Sequence, residues 1–558
     1  MTPLRSWTHF FPPYPGPATP AAFRLVCAAV SGAALSLSYT GFYFSIYSWL
    51  CIGLLLVVIL DARPRIAFAC GFVHTLVFVS TSVPWIATVL AVHGGLSRAG
   101  GWAILFLIAS VMGILTATFA WCVRRLAQRS LALACVGAPF LWVTFEFALA
   151  HLPEISFPWN LLGYPASENL ALLQLTTVTG IWGLSFLVAA FNALLAWTTL
   201  APTPAPKIRA TFLAAAAFLI LTVMAIGPRF VPRTSATHFA RAVQPNFPEA
   251  MEYPADWFKT HAGDLEEIEQ LSLAPSNHST DLLVWPEAPA PFSFEDPQFA
   301  RHASLLAIHF QHPFLAGVIE WKPAPESSAG AHAALAPYNS AILLDPQGQK
   351  VFTYDKIHLV PFGEYEPFPL IHRVVASVSD EVGGFRKGSK YSVAHLPGGY
   401  TFGAFICYEA IYPGEVRRFA ASGADLLVNI SNDGWFGRSA APEQHLRMAR
   451  VRAVENRRWL LRVTNNGFTG SVDPCGRVFR PLPPDIRAAV DLPYDFRTDE
   501  TIYTRFGDWF AWLCVLVSVI LLASTFKKGN TAREELLMPI TDIPPSFVGA
   551  RFSASQRL

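Results

Sequence analysis

Charge is what this sequence has least of. Of its 558 residues, 14% are charged and 53% hydrophobic, where an ordinary soluble domain carries about 25% charged residues. So small a share cannot coat a water-facing surface of this size, which excludes a wholly soluble chain and long disorder. Bias of sign is missing too. Against 39 Asp and Glu stand 41 Lys and Arg, a net of +2, and nothing in that balance attracts nucleic acid. Eight cysteines in so long a chain are no disulfide framework. Cys27, Cys51, Cys70, Cys122, Cys135 and Cys514 stand in apolar stretches as small hydrophobes. Cys407 and Cys475 fall in polar sequence. No metal-ligand spacing, glycine-rich phosphate loop or internal repeat occurs, so neither metal nor cofactor is expected.

Apolar length is what the chain has in plenty. A bilayer is crossed by about 20 helical residues, and eight runs read as spans: 22–40, 44–60, 66–90, 102–123, 131–149, 181–200, 210–226 and 509–526. Basic residues follow alternate spans: Arg63 and Arg65, then Arg124, Arg125 and Arg129, Lys207 and Arg209, Lys527 and Lys528. Basic short loops face the cytoplasm, so with eight spans the polar region lies on the opposite side. The expected organisation is a disordered tail (1–20), a membrane domain of seven helices (21–227), an exported domain (228–508), an eighth transmembrane helix (509–526) and a cytoplasmic tail (527–558). A cleaved signal peptide starting at Phe23 ranks below a retained helix, because the apolar run continues past any cleavage site.

Two features of the membrane part stand out. The loop 150–179, with Phe157-Pro158-Trp159 and Gly163-Tyr164-Pro165, reads either as an interfacial segment or as a re-entrant lip of a site. Glu146, near the outer end of the fifth span, is an intramembrane carboxylate and so a functional candidate. Its plainer reading is a side chain snorkelling to the headgroups.

In the exported part, strands read at 281–284, 314–320, 401–406, 426–430 and 459–463, with hairpins at 340–354 and around 473–476. Helices read at 413–421 and, heavily charged, at 442–456. Alternation of this kind makes an α/β layered domain, which places function at strand ends. Glu287 ends one strand, Lys356 follows a hairpin and Cys407 ends another strand before a helix. A helix N-terminus and a nearby Lys favour thiolate, a carboxylate can take the thiol proton, and an ammonium can face a developing oxyanion. Together they suit acyl transfer through a thioester. Singly, each has a plainer reading: a buried core thiol, a turn carboxylate, a solvated lysine.

The strings around them are VWPEAPAPF, YDKIHLVPFGEYEPF, FGAFICYEAIYP and NISNDGWFG, at Glu287, Lys356, Cys407 and Asn429. They resemble, in order, the carbon–nitrogen hydrolase (nitrilase) superfamily, an αββα sandwich with a Glu-Lys-Cys triad. Joined to seven leading helices and one trailing helix, and with FPWNLLGYP and QHLRMARVRAVENRRWLLRVTNNGFTG present, the chain is similar to the apolipoprotein N-acyltransferase branch. That resemblance implies Glu287 as general base, Lys356 as oxyanion stabiliser and Cys407 as nucleophile, with Glu364, Tyr408 and Glu409 in support. It implies phosphatidylethanolamine or another phospholipid as acyl donor, a diacylglyceryl apolipoprotein as acceptor, and the bacterial inner membrane with the catalytic domain on its periplasmic side. Tyr253 stands where the family usually has Trp, and Leu149 where it has Arg. Tyr253 and Trp435 are the candidate substrate-binding residues. His358 reads as a structural hydrogen-bond donor, and His445 and Arg450 as structural or surface. Trp435 and Phe436 read as core aromatics or a lid touching lipid. A membrane-tethered amidase or nitrilase, with water as acceptor, is the alternative.

Overall fold

The computed structural model describes residues 19–40, 42–153, 156–248, 261–323, 335–365 and 384–526. The two expected tails fall almost wholly outside the described residues, as does Tyr253. Apolar runs become helices where no breaker interrupts them: α1 (Ala21–Leu37), α2 (Ser48–Ile59), α3 (Pro64–Ser82), α4 (Trp85–Val92), α5 (Arg98–Ala127), α6 (Leu131–Ala150), α7 (Ile181–Leu200) and α8 (Pro206–Ile226). Among the described residues five helices are long and apolar enough to cross a membrane, namely α3, α5, α6, α7 and α8 with its extension to Phe230. The helices at the first, second and eighth expected spans are shorter apolar ones of 10–17 residues.

The expected third span is two helices. Pro84 has no N–H to continue α3, which stops at Ser82 before α4 restarts at Trp85. The fourth is longer than expected, 30 residues, because the Ser97 hydroxyl caps Gly100 N and extends its start. Arg24 pairs with Asp61 at 2.6 Å, Arg124 donates to Ala62 O, and Arg125 and Arg129 reach Thr525 at 3.0 Å. The loop after α2 and the basic residues at the end of α5 therefore gather at one end of the bundle.

Among the described residues the opposite end carries twelve strands in two six-stranded sheets. One has the order β12-β1-β2-β3-β4-β5. Its strands are β1 (His238–Gln244), β2 (Leu282–Val284), β3 (Phe314–Pro323), β4 (Leu335–Leu344), β5 (Lys350–Asp355) and β12 (Ala488–Tyr494). The other has the order β11-β10-β9-β8-β7-β6. It holds β6 (Val393–His395), β7 (Thr401–Ile406), β8 (Leu426–Ser431), β9 (Trp459–Thr464), β10 (Thr469–Val472) and β11 (Val478–Leu482). In each sheet the three central strands β1-β2-β3 or β7-β8-β9 run parallel, so one end of each holds several strand C-termini together.

Side-chain alternation builds the layers. Leu282 and Val284 join the inter-sheet core with Leu343, Ala404 and Val428, while Leu283 and Trp285 turn outward onto Leu265, Ile268, Phe299 and Ala303. Those belong to α9 (Ala262–Leu273) and α10 (Pro297–Phe310), which cover the first sheet. The second sheet is covered by α11 (Pro413–Ala421) and α12 (Ala441–Asn456). The domain is therefore an αββα sandwich of the nitrilase type, set on a helical membrane domain. The last helix, α13 (Trp509–Ser524), returns along α6.

Helix α12 decides between the two places open to His445 and Arg450, structural or surface, in favour of the structural one. Every residue from Ala441 to Asn456 except Glu443 is buried, because α12 is wedged between its own sheet and the membrane domain. Arg447 and Arg450 pair with Glu168 of the loop after α6, Arg450 at 3.0 Å. Glu455 accepts from Ile181 N at 2.9 Å. That loop is no simple interfacial anchor. Pro158, Trp159 and Leu161 to Ser167 are buried, and Trp159 Nε1 donates to Gln444 Oε1 at 2.7 Å.

Candidate active site

Three strand ends converge. Glu287 follows β2, and its approach depends on a glycine in β3. A Cβ at Gly317 would lie 2.2 Å from Pro286 O and 2.7 Å from Glu287 Cα, so only the bare backbone lets the Glu287 turn close over the sheet. Lys356 follows β5, its N–H donating to Asn339 O at 2.8 Å. Cys407 follows β7 at φ 48°, a left-handed conformation that costs a side-chain-bearing residue about 1–2 kcal/mol. This sharp turn lifts the thiol off the sheet's end. It is held in place by His445 of α12, whose Nε2 donates to Cys407 O at 3.0 Å.

The carboxylates are bracketed by donors. Lys356 Nζ lies 3.0 Å from Glu287 Oε1 and 3.0 Å from Glu364 Oε1. Asn339 Nδ2 donates to the same two oxygens at 2.7 and 2.6 Å, while Asn432 N donates to Glu287 Oε2 at 2.8 Å and Val360 N to Glu364 Oε2 at 2.7 Å. Glu287 and Lys356 are both buried, at 6% and 1% exposed. Burial opposes the Lys356 charge, but Glu287 and Glu364 more than offset it and raise the ammonium well above its ordinary value.

The thiol goes the other way from the sequence reading. Burial first, then the Glu287 charge, push Cys407 far up, and Lys356 only partly opposes them. The helical turn that follows is a five-residue 3-10 piece, Cys407–Ile411, too short for a substantial dipole. At rest the sulfur keeps its proton, so it could act as a nucleophile only beside a base able to take that proton.

Glu409 does not touch the reacting groups; it clamps their supports. Its Oε1 accepts from Tyr354 Oη and Ile357 N at 2.7 Å and from His358 N at 3.1 Å, and its Oε2 from Ile406 N at 2.7 Å. One buried carboxylate thus ties the residue after Lys356 to the residue before Cys407. Burial and then Glu415 push its carboxyl up to about 7, against those donors. Tyr408 Oη reaches Ser156 O at 3.4 Å, linking the Cys407 turn to the membrane loop. Trp435 sets its ring edge-on to His93 of α4, centroids 5.0 Å apart, and Phe436 packs on Trp85 and Trp159. His358 bonds Glu415 at 2.9 Å and stacks on Tyr412.

Sequence reasoning missed Asn339, Asn432 and the role of His445. A polar residue inside the apolar strand Leu335–Leu344 was the available signal for Asn339. The other two needed the fold. Asp433, one residue beyond Asn432, bonds Arg462 at 2.7 Å, and His445 Nδ1 lies 3.1 Å from it. Burial would raise Asp433, but Arg462 above all outweighs it and holds the carboxyl well below the usual range. Burial and Arg462 lower His445, so its imidazole is neutral. A carbonyl can only accept, so Nε2 carries the proton and Nδ1 is left to accept from Arg462 Nη2 at 3.1 Å.

Residues 240–492 match the carbon-nitrogen hydrolase family, and residues 31–194 match the apolipoprotein N-acyltransferase N-terminal domain. The apolipoprotein N-acyltransferase of Geobacter metallireducens is 33% identical over 513 residues, 90% of this chain and 95% of that protein. That of Rickettsia prowazekii is 32% identical over 68% of this chain and 74% of that protein. Among solved structures, an amidase from Nesterenkonia sp. superposes with a TM-score of 0.33 at 21% identity, over 47% of this chain and 93% of that one.

Proposed function

The chain belongs to the apolipoprotein N-acyltransferase family, and from that premise we propose that it carries one fatty acyl chain, as a thioester on Cys407, from a phospholipid to the N-terminal α-amine of a diacylglyceryl apolipoprotein. It is an acyltransferase and a multi-pass membrane protein. The observation that carries the mechanism is the convergence of a buried carboxylate, ammonium and thiol at three strand ends.

Each group has a step. Glu287 takes the Cys407 proton as the sulfur attacks the ester carbonyl of the donor, phosphatidylethanolamine being the expected one. The carbonyl oxygen gains the negative charge, and Lys356 faces it. Glu364 matters here, because Lys356 keeps a counter-ion after Glu287 has been neutralised by the proton. Collapse breaks the C–O bond, the glycerol oxygen takes the proton back from Glu287, and lysophospholipid leaves. The acceptor amine then attacks the thioester carbon and loses a proton to Glu287. The C–S bond breaks, the sulfur recovers that proton, and an amide remains. One acyl-enzyme serving two substrates in turn is ping-pong catalysis.

The topology proposed with it puts the strand domain outside the cytoplasm, on the periplasmic face of the inner membrane, where both lipid substrates reside. Reporter fusions after Leu200 should behave as cytoplasmic and those within 228–508 as exported. Tyr253 and Trp435 are proposed as substrate contacts. The deciding experiment incubates purified protein with a phospholipid and a diacylglyceryl lipopeptide and weighs the peptide. One added acyl group on its amine is expected, and none with Cys407→Ala. Ammonia release from a small amide without lipid, and no acylated peptide, would point instead to the hydrolase.

A further inference from the structure

One neighbour of the Cys407 sulfur has no task in the steps above. Ser431 is the last residue of β8 and is wholly buried. Strands β7 and β8 run parallel with Ile406 opposite Ile430, so the next pair along is Cys407 and Ser431. The hydroxyl is within hydrogen-bonding reach of the sulfur, and that contact favours the thiolate. Ser431 Oγ also donates to Asp433 Oδ1 at 2.8 Å. Glu287 and Lys356 come from strand ends of the other sheet. Ser431 and Asp433 stand on the side of α12, whose His445 Nδ1 lies 3.1 Å from Asp433 Oδ1.

A hydroxyl has one proton to give, and two acceptors compete for it here. While Cys407 is a thiol, the ionised carboxylate of Asp433 is the stronger acceptor, so the bond at 2.8 Å is the resting one. Asp433 does not depend on that bond, since Arg462 Nη2 donates to both its oxygens, at 3.0 and 2.7 Å. Once negative charge gathers on the sulfur the balance changes. The Asp433 carboxylate opposes that charge, whereas rotation about the Ser431 Cβ–Oγ bond puts a donor between the two anions.

We propose that Ser431 is a further catalytic residue, its hydroxyl proton turning from Asp433 to the Cys407 sulfur whenever that sulfur carries negative charge. The inference rests on the proposed thioester reaction. No covalent bond to Ser431 changes. In the first half the thiol proton goes to Glu287, the hydroxyl donates to the sulfur until the C–S bond forms, and the hydroxyl then returns to Asp433. In the second half the C–S bond breaks and the leaving sulfur regains the same donor, which it gives up when Glu287 returns a proton. A donor already in place where charge develops lowers the barrier without reorganisation.

The test uses the full-length protein and two measurements. Alkylation of Cys407 by iodoacetamide at about pH 7 to 9 needs no lipid, and its rate follows the thiolate fraction. Ser431→Ala should slow it about tenfold, the loss of one hydrogen bond to a charged group. Acyl-enzyme formation from a reporter phospholipid, and transfer of that acyl group to a diacylglyceryl lipopeptide, should each slow about tenfold or more, in kcat rather than KM. Ser431→Thr and Ser431→Val are alike in shape and differ in the hydroxyl, so the first should restore all three rates and the second should not. That pair decides the matter if Ser431→Ala does not fold. All three rates unchanged in Ser431→Ala, or the Thr and Val variants slowed alike, overturns the inference. Slower alkylation in Ser431→Ala, with no acyl transfer by the native protein, would sink the proposed reaction and spare the role of the hydroxyl. Acyl transfer by the native protein, with alkylation and both half-reactions untouched by Ser431→Ala, would do the reverse.

Discussion

Helices α8 and α12 invert the usual relation between polarity and burial. Over Pro206–Ile226 the residues are nearly all apolar, yet Arg209 is the buried one, with Phe218 73% and Leu219 64% exposed. Over Ala441–Asn456 the charged residues Arg447, Arg450, Arg452 and Glu455 are all buried. The difference teaches that each helix is matched to its surroundings rather than to water. The first meets lipid, where apolar surface costs nothing. The second joins two domains and is held by specific partners for each of its charges.

Breaking a partner on α12 should therefore hurt most. Arg452 and Glu455, both fully buried, stand 3.1 Å apart. Arg452→Met leaves Glu455 buried in the junction without its cation, which should cost about 3–5 kcal/mol, read as loss of thermal stability in detergent. The double variant Arg452→Met with Glu455→Leu should recover most of that. If the single and double changes cost the same, the pair is not what matters there.

Glu409 sharpens the comparison, since it is buried with neutral donors where Asp433 has Arg462. Its folded value of about 7 exceeds the ordinary 4.5. Between those values the folded state holds a proton that the unfolded chain has lost, so stability falls as pH rises through the window. The swing is about 3 kcal/mol. Unfolding followed from pH 4.5 to 7 should show this slope, and Glu409→Gln should flatten it. Gly317→Ala is expected to displace Glu287 and lower acyl transfer about a hundredfold, with less effect on thermal stability than Arg452→Met. The smallest effect belongs to α8: Leu219→Ala should change stability by no more than about 0.5 kcal/mol. A loss of several kcal/mol would mean that this face packs on protein rather than lipid.

Much of this was legible beforehand for physical reasons. Long apolar runs can do little except span or be buried, and strands ending in Glu287 and Cys407 carry their chemistry at a predictable end of the sheet. The proline at 84 could have been read as a break in the third span, since its ring removes a donor wherever it sits. The bridging of Glu287 and Glu364 by Asn339, and the grip of His445 on the Cys407 carbonyl, were not legible. Each joins residues dozens of positions apart, and nothing local distinguishes Asn339 from any other polar strand residue.

Composition and local pattern were enough for the membrane character, the layered α/β domain and the three residues with chemistry to offer, because these follow from hydrophobic period and side-chain type. Packing alone assigned the protonation of the thiol and the burial of a charged helix. Those depend on how much water and which opposite charge lie within a few ångströms, and distance in space is not written along a chain.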